Sequence, residues 1–94
     1  MRIRDCCILA DTNSTDEKVR PLIGRKGTLQ ITNGAPLVFT TGFPGRESVM
    51  TTTPTKCVGV VGVNIFVKTV SGTEYTFEFR KIDIHTHHAA TSSH

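Results

Sequence analysis

Polar and apolar residues alternate with a period of two over much of this chain, in runs too short for helices. From Thr73 to Arg80, Tyr75, Phe77 and Phe79 share one face while Glu74, Thr76 and Glu78 share the other. That is the pattern of a half-buried strand. Thr28–Thr32 alternates in the same way and points Leu29 and Ile31 inward. Asn33-Gly34 follows as a hairpin signal, and Pro36–Thr41 reads as the returning strand.

The last hairpin, Asn64–Val70 with Thr73–Arg80, admits two registers. A two-residue Ser71-Gly72 loop sets Phe66 and Lys68 beside the aromatic row. A three-residue loop with Gly72 left-handed sets Ile65, Val67 and Thr69 there instead, and brings Lys68 near Glu74 and Glu78. The second register separates apolar from charged side chains more cleanly and is preferred.

Ile3–Ala10 is an apolar run broken by Arg4 and Asp5, which predicts a first strand whose later half is buried on both faces. Ser14-Thr15-Asp16-Glu17 has the form of a capping box, and Pro21 limits any helix after it to a turn or two. Gly42–Glu47 is a loop by composition. Pro54 places its segment at an edge or a break, and Lys56–Val63, with Gly59 and Gly62, reads as strand, kink and turn.

Five or six short strands joined by brief turns predict an all-β fold, a small barrel or sandwich of SH3-like or OB-like type, with room for one short helical turn after the first strand. The 15 threonines agree with strands over helices. Residues 1–82 form the single β domain, and 83–94, polar and rich in histidine, read as a flexible tail. With 94 residues there is no room for a second core.

Composition and charge then narrow the classes. At 37% hydrophobic and 20% charged, the chain is too apolar for disorder. Asp5 and Asp11 bracket an apolar patch too short for a secretory leader, and no stretch is long enough to span a membrane, so a cytoplasmic location is expected. Cys6, Cys7 and Cys57 read as three reduced thiols, at least one of them in the core. The formal charge of +3 assists phosphate binding without requiring it.

Gly24-Arg25-Lys26-Gly27 carries the clearest candidate chemistry. Within Leu22–Gly27 it resembles the Ile-Gly-x-x-Gly loop with which KH domains clamp a nucleic-acid backbone. That loop joins two helices, whereas Thr28–Thr32 alternates as a strand. The same residues suit a glycine-punctuated turn of the kind seen in KOW-like RNA-binding barrels.

Aromatic residues add to it. Most of them are needed for the core, and Phe43 and Phe66 are the two expected outside, where they can stack on bases or meet a protein. Nucleic-acid binding would then use Arg20, Arg25, Lys26, Phe43 and Phe66. His85, His87 and His88 are good metal ligands, but without a Cys-x-x-Cys they read as a tail with incidental metal affinity. No nucleophile motif or Walker A sequence is present, and the histidines all lie in the tail, so an enzyme is not expected and no cofactor is implied. The sequence therefore predicts a non-enzymatic binding or interaction module with a protein partner or self-association. The alternative is binding of single-stranded nucleic acid or RNA through the basic loop.

Overall fold

The computed structural model of the chain describes residues 1–43 and 45–79. Six strands follow in order: β1 (Arg2–Thr12), β2 (Lys26–Gln30), β3 (Pro36–Phe43), β4 (Arg46–Val61), β5 (Asn64–Thr69) and β6 (Glu74–Phe79). Each pairs antiparallel with the next, and β6 returns to β1, so the sheet closes into a barrel. Closure removes most of the unpaired edges that a small sheet would expose.

The inward positions of every strand supply the core. Cys7, Leu9, Leu29, Leu37, Phe39 and Phe77 are fully buried, and Ile65, Val67 and Tyr75 nearly so. Phe39 and Phe77 meet at the centre, their rings tilted with centroids 5.3 Å apart. Four threonines are also buried, and each hydroxyl donates to a carbonyl: Thr12 to Glu74, Thr41 to Lys26, Thr55 to Thr32 and Thr69 to Thr73. Hydrogen bonding removes the cost of taking these hydroxyls out of water.

The last hairpin takes the preferred register. Ile65 lies opposite Phe77, Val67 opposite Tyr75 and Lys68 opposite Glu74, around a loop in which Gly72 has φ 90. Leu29 and Ile31 point inward as expected. The Ala35 N–H donates to the Thr32 carbonyl (3.0 Å) around Asn33-Gly34.

Other expectations are corrected. The later half of β1 is covered on one face only, since Ala10 is exposed and Ile8 half-buried, while Cys7 and Leu9 face the core. The helical turn is a 3-10 turn at Arg20–Leu22, and Pro21 opens it instead of limiting it. Proline lacks an N–H that a first turn leaves unpaired anyway. Ser14 accepts the Asp16 N–H, and the Asp16 carbonyl receives the Val19 and Arg20 amides, so Asp16 organises this connection. Nor is Gly42–Glu47 a loop: Phe43 pairs with Arg46, leaving two residues between the strands.

β4 is long because it serves two partners. Up to Pro54 it pairs with β3, and from Thr55 onward with β5. Pro54 stands opposite Pro36, the first residue of β3, where the hand-over occurs. Prolines are tolerated at that corner because one ladder is ending as the other begins.

Candidate interaction surfaces

A basic groove forms where β2, β3 and the bulge of β1 meet. Gly24, at φ 89, turns the chain into β2 and donates its N–H to the Leu9 carbonyl (2.8 Å). This places Arg25 and Lys26 at the mouth of the first ladder. Gly27 follows in the strand, where a Cβ would collide with the Thr40 carbonyl. The absence of that Cβ lets β2 and β3 approach closely, and Thr41 Oγ1 donates to the Lys26 carbonyl at 2.9 Å.

β3 then carries Phe43 past the barrel rim, 79% exposed. Between Ile3 and Cys7, β1 bulges outward at Asp5, whose φ of 55 suits an aspartate. Thr28 Oγ1 donates to the Asp5 carboxylate at 3.4 Å. Asp5, Arg25, Lys26, Thr41, Gly42 and Phe43 line the resulting cleft of about 490 Å³. Arg46, the cross-strand partner of Phe43, adds a third cation at the rim.

Three of the five residues expected to bind nucleic acid thus converge: Arg25, Lys26 and Phe43. Arg20 does not join them; in the 3-10 turn its Nη1 donates to the Ser14 carbonyl at 3.3 Å. Phe66 lies on a different surface, a shallow dish of about 390 Å³ over β4, β5 and β6 that shares no lining residue with the groove. Both Phe43 and Phe66 are exposed, as expected.

The second surface is apolar. Val58, Val60, Val61, Val63 and Phe66 are 36%, 57%, 67%, 42% and 44% exposed, all on the hairpin that joins β4 to β5. Val58 and Val60 lie opposite Val67 and Ile65, which are buried, so they share the inward face of the sheet. They stay uncovered because this part of β4 runs beyond the barrel wall. Sequence reasoning missed these valines. The available signal was Val58-Gly59-Val60-Val61-Gly62-Val63, which is apolar at both parities and cannot all be covered by a barrel this small.

The thiols are all free. Burial, reinforced by the neighbouring Cys6, pushes the Cys7 thiol up to about 12, so at neutral pH it is a packed apolar group and not a nucleophile. Among the described residues no three His, Cys, Asp or Glu side chains gather as a metal site. His85, His87 and His88 lie outside the described residues. Among the described residues no helix is long and apolar enough to cross a membrane.

Nothing matches this chain among family models, curated proteins or solved structures. Its surfaces therefore carry the functional argument alone.

Proposed function

We propose that this protein is a non-catalytic interaction module that docks through its β4–β5 hairpin, in the manner of small SH3-like or OB-like barrels that act through their surfaces. The exposed apolar residues of this hairpin, Val58 and Val60 on one face of the sheet and Val61 and Phe66 on the other, carry this reading. Apolar side chains left uncovered on both faces of one hairpin mark a contact site. A purified, amino-terminally labelled protein followed by sedimentation in an extract of its source cells tests it. The protein should sediment as a larger species whose size is insensitive to salt, and a Val58→Thr, Val60→Thr, Phe66→Ser variant should sediment alone. Equal sedimentation of the two removes the reading.

The basic groove supports a second reading, single-strand nucleic-acid binding. The convergence of Arg25 and Lys26 with an exposed Phe43 favours it, since cations that hold phosphates beside a ring that stacks bases are the elements of such sites. Anisotropy titrations of labelled single-stranded DNA and RNA at about 50 and 200 mM salt test it. Binding should fall steeply with salt and weaken with Arg25→Ala plus Lys26→Ala; absence of binding at the lower salt ends it.

A further inference from the structure

From the edge of β4 we infer that the partner of the apolar hairpin is a second copy of this chain, added by antiparallel strand pairing about Gly59. The inference rests on the interaction-module reading and specifies its partner. Among the described residues, β4 from Cys57 to Val61 has a ladder to β5 only; β3 has already begun at Pro36, opposite Pro54. Its other side therefore presents backbone N–H and C=O groups in a row.

Natural edges are blunted by proline, charge or bulges. Here Pro54, Lys56 and the bulge between Thr55 and Cys57 protect only the beginning of the segment. From Cys57 to Val63 the sequence is Cys-Val-Gly-Val-Val-Gly-Val, with neither charge nor proline. A cleft of about 460 Å³ lined by Met1, Ile31, Asn33, Lys56, Cys57 and Val58 keeps the start of this edge apart from the end of β2.

The segment is complementary to itself. Residues directly opposite in an antiparallel pair point to the same face, so a two-fold axis through the edge must pair positions of equal parity. Centred on Gly59, it sets Val58 of each copy against Val60 of the other, on the face those valines already share. It sets Cys57 against Val61 on the opposite face. No charge meets a like charge, and Lys56 falls opposite Gly62 at the end of the ladder. Centring on Val58 instead would place Lys56 opposite Val60 and leave one valine–valine pair, Val58 against Val58, in place of two. Main-chain bonds then provide the association and the valines the register, the division of labour in strand addition generally.

Sedimentation equilibrium of the full chain, with hydrogen exchange of its amides, tests this. The wild type should approach twice the 10.3 kDa chain mass at about 200 μM, with amides in 57–61 becoming more protected as concentration rises. Val60→Lys should weaken the dimer by about 100-fold or more, because one ammonium group enters each of the two apolar contacts. Far-UV circular dichroism should show the variant folded, since Val60 is 57% exposed. Val58→Glu alone should also be monomeric, and mixing it with Val60→Lys should restore dimers if positions 58 and 60 are partners. A wild-type monomer overturns the inference, including one whose 57–61 amides are protected at every concentration, as cover by its own residues 80–94 would produce. A dimer that Val60→Lys leaves intact, or a mixture that stays monomeric, overturns it as well. A purified monomer that still forms the larger species in extract separates the failure of self-pairing from failure of the interaction reading.

Discussion

Gly27 and Thr40 are in backbone contact across β2 and β3, so close that a Cβ on the glycine would collide with the threonine carbonyl. The partner atom is backbone and cannot swing aside. Gly27→Ala must therefore push the two strands apart, and it should cost about 2 kcal/mol or more, read as a lowered urea midpoint. Gly59→Ala is the matched control: a Cβ there meets nothing within 4 Å, and its stability should change by less than about 0.5 kcal/mol.

Cys7 makes the fold sensitive to alkali. Burial raises its thiol from an ordinary 9.0 to about 12, so the unfolded chain releases this proton before the folded one does. Its contribution is fully present below pH 9 and is lost as pH rises towards 12, with a slope of up to about 1.4 kcal/mol per pH unit. Tyr75, whose hydroxyl is also raised by burial, acts in the same direction. Urea midpoints measured from pH 8 to 11 should fall progressively, and less steeply in Cys7→Ala. In the native protein at pH 8, a thiol reagent should modify the exposed Cys57 and spare Cys7 until denaturant is added.

Phe39 and Phe77 hold the middle of the barrel, both fully buried. Phe77→Ala should cost about 3–5 kcal/mol, since the closed sheet cannot collapse into the space left by the ring. Phe77→Leu should recover most of that. Thermal midpoints of the two variants give the comparison; equal losses would show that the barrel centre is not where the ring packs.

Phe43 behaves oppositely. Because it is 79% exposed, Phe43→Ser should leave the thermal midpoint within about 2 °C of wild type. Any single-strand binding should weaken in this variant without a change in its salt slope, because a stacking ring is lost and no phosphate contact is. A reduced slope would instead mean that Phe43 positions Arg25 or Lys26.

Much of this architecture could be read from local pattern. The β5–β6 register was legible because only one alignment puts Ile65 and Val67 beside Phe77 and Tyr75 while sending Lys68 to Glu74. Leu29, Ile31, Asn33-Gly34 and Gly72 were legible for the same kind of reason: alternation and left-handed turns are properties of a few adjacent residues. The 3-10 turn was legible in its existence but not its position, since Pro21 can either end a helix or begin one.

By itself, then, the sequence determined an all-β chain, the hairpin that closes it and the two phenylalanines left outside, because those depend on side-chain period and on having too few neighbours to cover every ring. Only the tertiary structure decided that Arg25 and Lys26 meet Phe43 while Arg20 and Phe66 do not, because that depends on the stagger with which six strands close. It also decided where the open edge lies. β4 outlasts β3 at Pro36, and among the described residues no strand covers that side of the valines after Pro54.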